Sequence, residues 1–159
     1  EIRTRPGVYD VRGLGYNFRM TDFQAALGAG QMERYGANLE KRQENGKLYC
    51  ELLSNNIFVE FPEYTDENSY FLFQILIKPP FSRDEILVKL KEIGIGVSIH
   101  YATPVPLMTY YRDKYGYTND DFPNAVQFGN QVISLPVHSI LSMDDIIFIA
   151  CEIDKYLQH

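Results

Sequence analysis

The chain has 159 residues, a formal net charge of −6 and 45% hydrophobic residues, proportions typical of a globular domain rather than of a disordered or fibrous protein. A domain of this size hides roughly 68–70% of its unfolded surface, so its core needs no disulfide or metal. The acidic balance, without a run of lysine or arginine, disfavours nucleic acid as a partner. No apolar stretch reaches the roughly 18 residues that a membrane span needs, so we expect no membrane association.

The cysteine and histidine content argues against covalent or metal cross-links. Cys50 and Cys151 make no disulfide framework, and the three histidines lack the spacing of a metal site. We therefore expect reduced thiols, a cytoplasmic location and no metal. The chain opens at Glu1 without an initiator methionine or a secretory signal, so we also expect it to be part of a longer protein.

The pattern along the chain predicts three parts. Residues 1–20 are rich in glycine and proline and should form an irregular linker. Residues 21–54 should form one long amphipathic helix, with a capping box of Thr21 and Gln24 at its start and Gly36 as the point where it would break. Its small residues at 25–30 suit close packing, either within the subunit or between subunits. Residues 55–159 should form a small α+β domain.

Helix and strand signals alternate through that last part. Short apolar runs predict strands at 57–61, 70–77, 97–101 and 132–135, and capping and periodicity predict helices at 83–93, 107–115, 122–130 and 142–157. Ser82 with Glu85 and Ser142 with Asp145 have the spacing of capping boxes. We expect an α+β fold with a small, mostly antiparallel sheet and helices on one face.

Two segments carry candidate ligand-binding side chains. In Gly15-Tyr-Asn-Phe-Arg-Met, Asn17 and Arg19 stand directly before a helix start, where free N–H groups and the helix dipole favour an anion such as a phosphate or a carboxylate. The alternative is structural: Asn17 closes a turn and Arg19 pairs with Asp22. His100 and Tyr101 end a predicted strand before a proline-stiffened loop, a common place for ligand contacts, although a structural histidine is the usual explanation.

Taken together and in this order, these segments resemble the C-terminal part of the DegT/DnrJ/StrS-type nucleotide-sugar aminotransferases, which use pyridoxal phosphate (PLP) and have the aspartate aminotransferase fold. The resemblance rests on the stretch at 15–26, on Gly94-Ile-Gly-Val-Ser-Ile-His-Tyr, on Tyr110-Tyr-Arg, on Ile133-Ser-Leu-Pro and on the closing helix. It implies that residues 21–54 are an interdomain helix and that the rest is the small domain of a fold-type I PLP enzyme.

The resemblance also implies roles for individual residues. Asn17 would reach the cofactor phosphate of the partner subunit in a homodimer, and Arg19 would shape the site or meet an anionic substrate group. His100 and Tyr101 would lie near the nucleotide-sugar pocket, again across the interface. Many relatives have histidine where this chain has Pro106, which has no titratable group, so a substrate contact is lost there.

The lysine that binds the cofactor covalently precedes this region in the family, whereas all seven lysines here lie after Asn17. We therefore expect the remainder of its own chain to supply the large PLP-binding domain, and the 159-residue piece to bind no cofactor by itself and to be inactive. The whole enzyme would transfer an amino group from a glutamate-type donor to a nucleotide-linked keto-sugar. Two alternatives stay open: a non-catalytic regulatory or ligand-binding module, and a dimerisation domain with an exposed apolar face at 23–35.

Overall fold

A computed structural model describes residues 10–15, 17 and 19–158. Residues 1–9 of the predicted linker and two residues of its motif, Tyr16 and Phe18, lie outside the described residues. The regular elements, in chain order, are α1 (Asp22–Met32), α2 (Tyr35–Leu53), β1 (Val59–Glu60), β2 (Phe73–Ile77), α3 (Arg83–Glu92), α4 (Thr109–Tyr115), α5 (Pro123–Gln131), β3 (Val132–Leu135) and α6 (Met143–Tyr156). Short 3-10 turns at Val105–Leu107 and Asn119–Asp121 precede α4 and α5.

The sheet has three strands in the order β1-β2-β3, and both pairs are antiparallel. Gln74 of β2 faces Ser134 of β3 in the register. This confirms the predicted α+β class. The strand expected at 97–101 is wrong in extent, because its backbone joins the sheet only at Ser98, which exchanges two hydrogen bonds with Ser134 at 3.2 and 2.8 Å.

The core lies between the sheet and the helices α2, α3 and α6. Side chains alternate along β2, so Phe73, Ile75 and Ile77 are buried on one face. Burying such a side chain contributes about 1.5–3 kcal/mol, which is why this face must be covered by helices. The helical side chains that cover it include Tyr49, Leu53, Ile86, Leu90, Ile146, Ile149 and Ile153.

The helix predicted over 21–54 is two helices rather than one. A turn at Glu33–Arg34, close to the predicted break at Gly36, separates α1 from α2, and α2 then runs into the core. None of the eleven residues of α1 is buried, so no packing within the described residues holds α1 in line with α2. In the described part of the chain, no helix has both the length and the apolarity to cross a bilayer.

Two of the three predicted caps are present. Thr21 and Gln24 exchange the two hydrogen bonds of a capping box at α1, and Ser142 and Asp145 do so at α6. Ser82 occupies the N-cap position of α3 but its side chain makes no capping hydrogen bond, so that prediction is wrong. The cap position depends only on local backbone geometry, whereas the capping bond also needs the right rotamer.

Candidate functional site

Asn17 and Arg19 lie on the surface immediately before α1. Both are exposed, and neither makes a hydrogen bond or ion pair with another described residue, so the alternative pairing of Arg19 with Asp22 is not found. At the start of α1, Thr21 and Gln24 satisfy each other's backbone N–H groups at 2.9 and 3.3 Å. An amide and a guanidinium beside a helix start are donors that suit one side of an anionic group.

The segment that leads to Asn17 is tied to α4 from a distance in the sequence. The Thr109 backbone N–H donates to the Asp10 carboxylate at 2.8 Å, the Thr109 hydroxyl donates to the other carboxylate oxygen, and the Tyr110 N–H donates to the Val11 carbonyl at 2.7 Å. The hydrogen bonds from Thr109 lower the pKa of Asp10. Asp10 therefore supplies the cap that Met108, the residue at the N-cap position of α4, cannot supply.

Sequence reasoning missed this role of Asp10. Its partner is 99 residues away, so no local spacing reveals the contact. The sequence gives one indirect signal: the residue before α4 is methionine, which has no capping group, so any side-chain cap of this helix comes from another part of the fold.

His100 is half-buried and is held at two of its polar groups. Its ring Nδ1 lies 3.2 Å from Ser98 Oγ and 2.9 Å from Ser134 Oγ. The Gln74 side-chain amide donates to the His100 carbonyl. Nδ1 thus has the partners of a structural histidine, whereas Nε2 makes no hydrogen bond to the described residues. Nδ1 therefore fits the interpretation of His100 as a structural histidine, and Nε2 fits its interpretation as a ligand-binding residue.

Tyr101 stands beside this imidazole with half of its surface exposed (51%). The two rings meet edge to face with centroids 5.4 Å apart, and the peptide bond that joins the two residues is cis. Behind them, α5 approaches the loop so closely that a Cβ at Gly129 would collide with the Ala102 carbonyl oxygen. The backbone after Tyr101 is therefore backed by a helix.

Ser98 and Ser134 also line a cleft of about 510 Å³ at the edge of the sheet. Its walls come from α2, α6, the end of β3 and the segments before β2 and after α3, and they include Arg42 and Asp145. The Arg42 guanidinium lies 6.0 Å from the centroid of the exposed Phe71 ring. The same pair of serines therefore contacts the imidazole and borders this cleft.

The structure brings His100 and Tyr101 together but does not join them to the other candidates. No hydrogen bond or ion pair in the described residues links His100 to Asn17 or Arg19. Pro106 lies in a 3-10 turn between Tyr101 and α4 and offers no polar side chain there. Within the part of the chain that the structure describes, the candidate residues therefore form two separate groups.

Comparison with known proteins identifies the family. The model of the DegT/DnrJ/EryC1/StrS aminotransferase family matches residues 3–153. A UDP-4-amino-4,6-dideoxy-N-acetyl-beta-L-altrosamine transaminase of Campylobacter jejuni is 31% identical over 144 residues, which cover 88% of this chain and 38% of the transaminase.

Solved structures agree in fold. PseC of Helicobacter pylori, an aminotransferase involved in the biosynthesis of pseudoaminic acid, superposes with a TM-score of 0.78 at 28% identity, over 93% of this chain and 40% of PseC. The PLP form of Spr1654 from Streptococcus pneumoniae gives a TM-score of 0.76 at 27% identity, over 95% and 40% of the two chains. The chain spans about 40% of the length of the proteins it matches. It belongs to the DegT/DnrJ/EryC1/StrS aminotransferase family.

Proposed function

We propose that this chain is the C-terminal part of a PLP-dependent aminotransferase that acts on a nucleotide-linked keto-sugar, with glutamate or a similar amino donor. The observation that carries the proposal is the exposed pair Asn17 and Arg19 directly before α1, in a chain that covers about 40% of its relatives. These donors have no partner among the described residues, which supports a role toward a group held elsewhere.

The side chains of Asn17 and Arg19 could donate hydrogen bonds to one side of the cofactor phosphate. The Asn17 amide would donate to a phosphate oxygen of PLP in the partner subunit, and Arg19 would meet a second anionic group of cofactor or substrate. Bound PLP supplies the electron sink that amino-group transfer requires. The covalent lysine must come from residues upstream, because no lysine precedes Asn17 in this chain.

The second group of residues would form a wall of the substrate pocket. His100 would offer Nε2 to the nucleotide-sugar, and the exposed Tyr101 ring would pack on its sugar or base. Both groups then work on ligands of a neighbouring subunit, so the proposal requires a homodimer as well as the remainder of the chain.

The surface of α1 supports an assembly larger than these residues. Phe23 and Leu27, one turn apart, are 74% and 58% exposed although each could contribute about 1.5–3 kcal/mol when buried. We propose that the large PLP-binding domain or the partner subunit covers this face.

Cofactor affinity tests the role of Asn17. In the full-length protein, Asn17→Ala should weaken PLP binding about tenfold or more, because a hydrogen bond to a charged group is lost. Asn124→Ala, an exposed asparagine on α5, is the matched control and should bind PLP as the wild type does. Absorbance titration measures both. Equal affinities for Asn17→Ala and wild type would contradict the proposed contact.

Activity measurements test the proposed reaction and the need for upstream residues. The full-length protein should aminate a nucleotide-linked keto-sugar in the presence of PLP and glutamate, and the 159-residue chain should give no turnover under the same conditions. Turnover by the 159-residue chain would overturn the requirement for upstream residues. A full-length protein with no lysine in a PLP-binding setting and no turnover would instead favour the regulatory or ligand-binding alternative.

A further inference from the structure

We propose that Ser134, assisted by Ser98, is a positioning residue that holds the His100 imidazole with Nε2–H directed to the nucleotide-sugar. The inference rests on the proposed function, because it assumes that His100 meets that substrate. Beyond the proposed function, it names the hydroxyl that orients the imidazole and the ring atom, Nε2, that faces the substrate.

The burial of Ser134 is the first observation. All four residues of β3 are buried, and Ser134 is 3% exposed in a strand that otherwise reads Val-Ile-Leu. A hydroxyl in such a place costs free energy unless it is hydrogen-bonded, and an alanine would serve the sheet equally well. The partner that the Ser134 hydroxyl has is Nδ1 of His100, at 2.9 Å.

The backbone around this contact is fixed independently of the ring. Ser98 and Ser134 exchange two main-chain hydrogen bonds at 3.2 and 2.8 Å, which sets the distance between the two segments. Gln74, which faces Ser134 in the sheet register, donates its side-chain amide to the His100 carbonyl. The main chain that carries the imidazole is therefore fixed by hydrogen bonds at Ser98 and at the His100 carbonyl.

A hydroxyl can donate to Nδ1 or accept from Nδ1–H. In this proposal the buried Ser134 O–H donates, because Nδ1 is the acceptor within its reach among the described residues. A serine O–H that donates to the Nδ1 lone pair leaves the ring proton on Nε2. The ring atom directed away from the serines is then an N–H donor, which matches an oxygen of the diphosphate in a nucleotide-sugar.

Nitrogen NMR of the full-length protein with ¹⁵N-labelled histidine tests the orientation without any ligand. The spectra are recorded at about pH 8.5, well above the ordinary histidine pKa near 6.5. We expect His100 to show the Nε2–H tautomer in the wild type, a mixture of tautomers in Ser134→Ala, and recovery of the Nε2–H form in Ser134→Thr. A wild-type Nδ1–H tautomer, or a Ser134→Ala spectrum identical to the wild type, would overturn the proposal.

Ligand affinity is the second readout, measured calorimetrically with UDP-N-acetylglucosamine and with GDP- and dTDP-linked hexoses. For the nucleotide-sugar that the wild type binds, Ser134→Ala should raise Kd about three- to tenfold, the loss expected for one hydrogen bond, and Ser98→Ala should raise it less. Ser82→Ala is the control, because the Ser82 side chain makes no capping hydrogen bond. Its Kd should equal that of the wild type.

The outcomes separate this inference from the proposed function. If His100→Ala raises Kd and Ser134→Ala does not, the positioning role is wrong and the substrate contact stands. If His100→Ala leaves Kd unchanged, or if the wild type binds none of the three nucleotide-sugars, the proposed contact fails, and the tautomer of His100 still decides whether Ser134 orients the ring. Should Ser134→Ala fail to fold, the histidine spectrum of the wild type still decides, because an Nδ1–H tautomer overturns the proposal.

Discussion

Replacing Gly129 with alanine tests how tightly α5 packs behind the candidate substrate loop. The new methyl group would lie 3.1 Å from the Ala102 carbonyl carbon and 3.2 Å from the Tyr101 carbonyl oxygen, and it would collide with the Ala102 carbonyl oxygen. The helix cannot retreat freely, because the Arg83 guanidinium donates to the carbonyls of Gly129 and Val132, each at 3.0 Å. The loop must therefore absorb most of the displacement.

The size of the effect follows from two opposing contributions. Overpacking of this kind lowers the free energy of unfolding by about 1–3 kcal/mol. The higher helix propensity of alanine raises it by up to about 1 kcal/mol. Because Gly129 lies in the last turn of α5, the gain from helix propensity is small. We therefore expect the free energy of unfolding to fall by about 1–2 kcal/mol. Urea denaturation followed by far-UV circular dichroism measures it as a lower midpoint at unchanged slope. Nucleotide-sugar affinity should fall as well, because the displaced backbone adjoins His100.

The same substitution at Gly36 is the matched control. Gly36 lies in α2, and a Cβ there would meet nothing within 4 Å. Gly36→Ala should therefore match the wild type or be up to about 1 kcal/mol more stable. If the two alanine variants unfold at the same urea concentration, the close approach of α5 to the loop does not determine stability and the reasoning is refuted.

Three further predictions concern the body of the domain. Gly46→Ala should lower stability by about 1–3 kcal/mol in urea denaturation, because its Cβ would lie 2.7–2.9 Å from ring carbons of Tyr70. Hydrogen bonds from Ser142 lower the pKa of Asp145 below its ordinary 3.8. The Asp145 carboxylate therefore stabilises the fold above that pH and loses this contribution as pH falls through the lowered pKa, so Asp145→Asn should flatten the acid dependence of the urea midpoint. Burial raises the pKa of the Cys50 thiol, so iodoacetamide should alkylate it more slowly in the native than in the urea-unfolded chain, as mass spectrometry would show; equal rates would contradict this.

Local signals predicted the elements that depend on near neighbours. The capping boxes that begin at Thr21 and Ser142 involve residues three apart, and both are present. The apolar run at 70–77 contains β2, and the run at 132–135 is β3. In each case the physical cause is a capping bond or a buried face, and both depend on a few consecutive residues.

Contacts over longer distances could not be predicted in this way. Asp10 caps a helix that starts 99 residues later. The segment at 97–101 has a strand-like sequence but pairs at Ser98 alone. These features depend on how the elements pack together.

The candidate site shows the same division. His100 and Tyr101 could be singled out because they end an apolar run and precede prolines. The partners of the imidazole could not, since Ser134 meets His100 only through the register of β3, and Gln74 reaches its carbonyl from β2. A serine in a short apolar run gives no indication of the ring it will contact.

The non-local contacts of His100 have a consequence for how the protein is made. Its carbonyl partner is 26 residues earlier in the chain and its buried hydroxyl partner 34 residues later. During translation, the imidazole therefore has no Ser134 contact until the residues that form β3 have left the ribosome. A chain that ended between residues 101 and 133 would still contain the His-Tyr pair but would lack the buried hydroxyl that contacts the ring.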